Sequence, residues 1–145
     1  MLELKTLYDT DFNIWVESQV EALKAQRLQD LDLPNLIEEI EDLARRDKKF
    51  VRSHLKIIFI HLLKWQLQEA KRSSSWKASI SNARTEIEDT FLDSPSLRNY
   101  LPTVIDKVYA SARKVAADQT TLAISIFPKD CPYELSQALD LDFLP

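Results

Sequence analysis

Apolar residues recur at helical spacing along most of this chain. Phe12, Trp15, Val16, Val20 and Leu23 share one face of a helix. Asp9, Thr10 or Asp11 supplies its N-cap. The stretch 29–33 (QDLDL) reads as a turn, and Pro34 suits the first turn of the next helix. From Leu36 the period runs through Ile37, Ile40, Leu43, Ala44, Val51, Leu55, Ile58, Leu62 and Trp65, and no proline interrupts it before Arg72. This spacing predicts one long helix over about 34–72, bent near the charged run 45–49. Ser73, Ser74 and Ser75 form the next turn. Trp76, Ile80, Ala83, Ile87 and Phe91 then mark a further helix. Ser94 and Pro95 read as a cap and a first helical residue. Leu97, Leu101, Val104, Ile105, Val108 and Ala112 follow as another stripe. Pro102 either kinks that helix or delays its start. Residues 120–127 fit a short helix or an extended segment, and 133–139 a last short helix. The apolar tail, with Phe143 and Leu144, is expected to tuck back onto the body.

The pattern predicts an all-α fold: an elongated bundle of four to five main helices with a short C-terminal helix and an ordered tail. The 145 residues fit one domain, 1–145. The chain contains no glycine. Phosphate-cradling loops, dinucleotide fingerprints and EF-hand loops are thereby excluded, because they need glycine's backbone freedom. Helix ends must do without glycine C-caps, so other residues must turn left-handed or the ends must fray. A net charge of −4 gives no general drive toward nucleic acid or anionic membrane. The single Cys131 excludes an intrachain disulfide and fits a reducing compartment. The longest apolar run, 57–60, is far short of a membrane span. These features together point to a soluble, cytoplasmic protein.

Three groups of polar residues are candidates for chemistry. With Ile40 at heptad position a, the later a positions are Asp47, His54 and His61, a polar row inside an apolar stripe. Such a row is expected to be hydrogen-bonded core, with Asp47 paired to an arginine. A two-histidine metal site is disfavoured, because the histidines are seven apart, roughly 10.5 Å along the axis. The second group is acidic. Glu38 and Glu39 with Asp42, then Glu86 and Asp89, resemble the paired motifs of all-α nucleotide pyrophosphohydrolases, which hold Mg²⁺ on carboxylates. The gap between the halves is longer here, and Asp42 stands where that family has Glu. The third group is basic: Arg45, Lys49, Arg52 and Lys56 form a stripe, read as a solvated helix face. Glu41 and Asp42 precede Arg45 and Arg46 at the spacing of favourable helical ion pairs.

Several segments taken together are specific: DFNIWVESQVEAL at 11–23, NLIEEIEDL at 35–43, HLLKWQ at 61–66, SWKASISNARTEIED at 75–89, DSPSLR at 93–98 and FPKDCPYELSQALDLDFLP at 127–145. In this order they resemble domain-of-unknown-function family twenty-nine, over essentially the whole chain. The family typically has Gly where Ala44 stands. The resemblance implies a small helical protein of cyanobacteria or other bacteria and carries over no activity and no catalytic residues. It maps the family's motifs onto Glu38, Glu39, Glu41, Asp42, His61, Lys64, Trp65, Trp76, Arg84 and Glu88. Trp65 and Trp76 are expected in the core, and Arg84 with Glu88 as an inter-helix clamp.

Two functions remain open. One is a non-catalytic protein-interaction or self-associating module, such as a homo-oligomer, which predicts an exposed apolar patch. The other is an Mg²⁺-dependent hydrolase of a phosphorylated small molecule or nucleotide. It would use Glu38, Glu41 and Asp42 with Glu86 and Asp89.

Overall fold

The computed structural model describes residues 4–145, with side chains from residue 7 onward. Every regular element among them is helical. The helices are α1 (Leu4–Thr10), α2 (Phe12–Lys24), α3 (Leu33–Leu67), α4 (Ser74–Asp93), α5 (Leu97–Tyr100), α6 (Ile105–Thr120) and α7 (Leu135–Leu139). Single 3₁₀ turns lie at Leu28–Asp30, Glu69–Lys71, Leu101–Val104 and Ile124–Ile126. The all-α expectation holds, and the long helix is one helix.

Several boundaries follow from local chemistry. Asp11 caps α2 by accepting from the Ile14 amide, and Ser73 caps α4 by accepting from Trp76. Pro102 delays α6: it sits in the 3₁₀ turn before Ile105. Ser94 ends α4 rather than starting a helix, and Ser96 precedes α5. The long helix stops at Leu67, short of Arg72, where Gln68 leaves helical angles. The Arg72 Nε reaches back 2.8 Å to the Trp65 carbonyl, one of the acceptors freed at that end. α1, which contains Asp9 and Thr10, is a helix that the sequence pattern does not mark. Without glycine, two helix ends turn through left-handed residues, Gln26 after α2 (φ 56°) and Thr121 after α6 (φ 58°).

The chain divides into two compact units, residues 1–46 and 47–145. The second has a conventional core. Val51, Leu55, Ile58, Phe59, Leu62 and Leu63 of α3 meet Ile80, Ala83, Ile87 and Phe91 of α4 and Tyr109, Ala112 and Ala116 of α6. Alanines at these positions allow the helices to approach closely. Phe127, Tyr133 and Ala138 close it, and the tail residues Phe143 and Leu144 pack against it, as expected. Polar clamps hold this C-terminal portion down. The Arg113 guanidinium donates to the carbonyls of Ile124 and Phe127, the Tyr109 hydroxyl to Pro128, and the Tyr133 hydroxyl to Gln66.

The first unit is built differently. Among its described residues only Trp15 and Ala22 are buried apolar ones, beside the buried polar Gln19 and Asp32. Asp32 is the hub. Its carboxylate accepts from Trp15 Nε1 (3.1 Å) and Asn35 Nδ2 (2.8 Å), and its amide donates to Gln19 Oε1 (2.7 Å). Tyr8, Phe12 and Trp15 add a cluster of rings with centroids 4.8 to 5.8 Å apart. This unit is latched by polar contacts because it has little core to bury.

Candidate functional site

The acidic candidates fall on different units. Glu38, Glu41 and Asp42 belong to the first, where all three engage one cation. The Arg45 guanidinium lies 3.1 Å from Glu38 and 3.4 Å from Glu41, and its Nε is 3.0 Å from Asp42. Hydrogen bonding to Asp42 is the main influence holding the guanidinium proton more tightly than usual. Glu39 accepts from the Tyr8 hydroxyl at 2.5 Å, and this bond is the largest of the influences raising the phenol to about 12. Glu38, Glu41 and Asp42 are therefore held by a resident arginine, and Glu39 by a phenol. Glu86 and Asp89 lie in the second unit, both exposed. Glu86 borders a shallow depression with His54, Ile57, Ser79 and Asn82. Among the described residues no group of three or more His, Cys, Asp or Glu side chains is arranged to hold a metal ion.

The polar row does not occupy the middle of the buried face. Asp47 is exposed, and His54 and His61 are half-buried. The buried stripe of α3 runs through Val51, Leu55, Ile58 and Leu62, so the a positions fall at its edge. Each histidine satisfies itself locally. Nδ1 of His54 and of His61 donates at 2.8 Å to the carbonyl four residues earlier, Phe50 and Ile57. Burial lowers the His61 imidazole pKa below its ordinary 6.5, against the opposing bond to Ile57.

Arg84 is a clamp, but to backbone rather than carboxylate. It is buried, with Nε donating to the Ala138 carbonyl (2.8 Å) and Nη2 to Phe143 (2.8 Å) and Gln137 (3.3 Å). Burial pulls its pKa down, while Asp140 and Asp142 act the other way. Glu88 pairs with Arg98 instead. Trp65 and Trp76 sit half-buried at the rim of the core, not inside it. Arg72 and Lys77 lie over the Trp65 ring and Lys64 over Trp76, so both indoles stack on the chain's own cations.

Two surfaces remain open. The basic stripe does more than face solvent. Lys49, Arg52 and Lys56 of α3 line a groove with Lys107 and Ser111 of α6. Arg52 donates to the Tyr100 hydroxyl at 2.6 Å. Among the described residues, none of these four cations lies within ion-pair distance of a carboxylate. The second surface is apolar. In the first unit Phe12, Ile14, Val20, Leu23, Leu28, Leu33, Ile37, Ile40 and Leu43 are all exposed. On α3 the exposures are 54% for Leu33, 55% for Ile37, 65% for Ile40 and 58% for Leu43. Sequence periodicity marks these residues as apolar, but it cannot show that they are exposed.

A family model described as Domain of unknown function DUF29 matches residues 7–144. No curated protein and no solved structure matches the chain. No helix among the described residues is long and apolar enough to cross a membrane.

Proposed function

The chain belongs to the DUF29 family, a domain of unknown function, and from that premise we propose that it is a non-catalytic interaction module whose first unit presents an apolar docking face. One observation carries the reading. Among the described residues, that unit buries two apolar side chains and exposes nine large ones. A face of this kind on α2 and the first half of α3 is stable in water only at a cost that a partner removes. The carboxylate-based hydrolase is not favoured, because Arg45 already occupies Glu38, Glu41 and Asp42. The cytoplasm is the compartment that fits the lone, half-buried Cys131, whose thiol burial pushes toward the protonated form.

The test is the double variant Ile37→Lys/Ile40→Lys. If this face is a docking surface, thermal unfolding of the dilute chain stays within about 2 °C of the parent, as is usual for exposed sites. A large fall in Tm at high dilution overturns the reading, since the face would then be packed within its own chain.

One observation favours a second reading, in which the second unit binds a phosphorylated small molecule. Lys49, Arg52, Lys56 and Lys107 gather cations in one groove. Calorimetry with pyrophosphate should show binding that weakens in salt and is lost in Lys56→Glu/Lys107→Glu. Absence of heat at low salt ends it.

A further inference from the structure

We propose that the cleft between α4 and the C-terminal tail, within the second unit, binds a small carboxylate with a short aliphatic chain. The site shares no residue with the apolar docking face or the basic groove and rests on neither reading.

Arg84 leaves part of its charge unanswered. A guanidinium carries five N–H donors, one on Nε and two on each Nη. Nε donates to the Ala138 carbonyl, and Nη2 donates to those of Gln137 and Phe143. Nη1 meets no acceptor among the described residues. Every fully buried side-chain nitrogen and oxygen among them has a partner, so Nη1 reaches solvent. Yet Arg84 as a whole is only 3% exposed. Its opening is therefore narrow, and the residue lines a cleft of about 200 Å³. No carboxylate among the described residues lies within ion-pair distance of it. Asp140 and Asp142 act on it only as charges through space. A guanidinium this deep normally has a counter-ion.

The walls of the cleft supply further donors. Lys77, Ser81 and Arg84 follow one another at intervals of four and three, so they lie along one line of α4. All three line the cleft, and all three can donate hydrogen bonds. Lys77 Nζ also lies 5.9 Å from the Trp65 ring centroid, at the outer limit of that contact, so the ammonium is available to a ligand. The opposite wall is Leu141, Asp142 and Leu144 of the tail, next to the Phe143 carbonyl that Arg84 holds. The arginine that clamps the tail thus also builds the cleft, and its remaining nitrogen serves it.

Charge selects the ligand. Lys77 and Arg84 bring two positive charges and Asp142 one negative, which leaves one positive charge in the cleft. A monoanion balances it, whereas a phosphate dianion adds a charge that Asp142 repels. Apolar surface selects the rest of the molecule. Ile80, Leu141 and Leu144 line the same space. Leu141 is 63% exposed, so an aliphatic chain laid on it removes apolar surface from water. The cleft is smaller than the roughly 300–1,000 Å³ of pockets for drug-sized ligands, which points to a ligand of about four to six carbons.

The test titrates the whole chain with sodium butyrate at constant ionic strength, with chloride as the balancing anion, and follows nitrogen–proton correlation spectra. Amides of 77–84 and 141–144 and the Arg84 Nε–H should shift together. They should saturate with a Kd of about 1–5 mM, a weak affinity in keeping with so few ligand atoms. Butylammonium should produce no such shifts. Lys77→Gln should weaken binding about threefold and Asp142→Asn should tighten it about threefold; both positions are exposed, so the fold is not at stake. Butyrate should also slow hydrogen exchange across 135–145, because a ligand bound to the docked tail opposes its opening. Failure to saturate by about 50 mM, well above the expected Kd, overturns the proposal. So do shifts confined to other parts of the chain, or an affinity unchanged in Lys77→Gln. Tighter binding of inorganic phosphate than of butyrate overturns the chemical class and the proposal with it.

Discussion

Replacing Arg84 with methionine should detach the C-terminal segment from the second unit. Methionine keeps the apolar stem and deletes the guanidinium, which donates to the carbonyls of Gln137, Ala138 and Phe143. Hydrogen bonds from a charged donor contribute about 1.5–3 kcal/mol each, so three would sum to about 4.5–9 kcal/mol if nothing relaxed. Relaxation sets the real figure. The segment can lift, letting its carbonyls regain water, and the desolvation that depresses the guanidinium pKa disappears with the charge. The loss cannot exceed the free energy that docks residues 135–145, and we expect about 3 kcal/mol. For a chain of this size that corresponds to a fall in Tm of about 6–12 °C. Thermal unfolding measures the total, and hydrogen exchange should show amides of 135–145 losing protection while those of 55–63 keep theirs. Arg84→Lys should recover less than half, since one ammonium cannot span the three acceptors. A loss under about 1 kcal/mol with unchanged protection at 135–145 would refute the reasoning.

Three other outcomes follow from the geometry. Thr121→Gly should raise stability by up to about 1 kcal/mol, read as a higher urea midpoint, because a β-branched residue is held at φ 58°; an unchanged or lower midpoint counts against backbone strain there. Asp32→Ala strips the acceptor from Trp15 Nε1 and Asn35, so Trp15 fluorescence and hydrogen exchange in residues 12–36 should show the first unit opening by about 1–3 kcal/mol more readily, and a silent substitution contradicts the hub. His61 has a folded pKa below 6.5, so the unfolded chain binds the extra proton first. Its contribution is present in full above about pH 7 and declines as pH falls through 6.5, so His61→Gln should flatten the stability profile between about pH 7 and 5.

Residues whose structure is set locally were the legible ones. The caps at Asp11 and Ser73 and the delay at Pro102 depend on neighbours within a few positions. Where α3 stops was not legible, because residues 66–72 are ordinary helix formers and the break is bound up with Arg72 reaching back to Trp65. Nor was the inner face of α3. The lines through His54 and through Val51 both carry apolar residues, and which one is buried depends on where α4 and α6 lie. Arg84 shows the same limit. An arginine beside an apolar stripe announces a clamp, but its acceptors lie more than fifty positions away, among carbonyls that every residue possesses. The interaction face is the converse case. Its residues are plain in the sequence, and only the fold shows them exposed among the described residues.

The left-handed Gln26 and Thr121 also bear on the state this chain leaves when it folds. Glycine is the residue with the most backbone freedom to lose, and this chain has none. Its denatured ensemble samples fewer conformations per residue than that of an average protein of the same length. Strain at two helix ends is thus coupled to a smaller entropy loss along the whole chain. That trade suits a first unit with almost no apolar interior, which must order three helical segments on a few polar contacts.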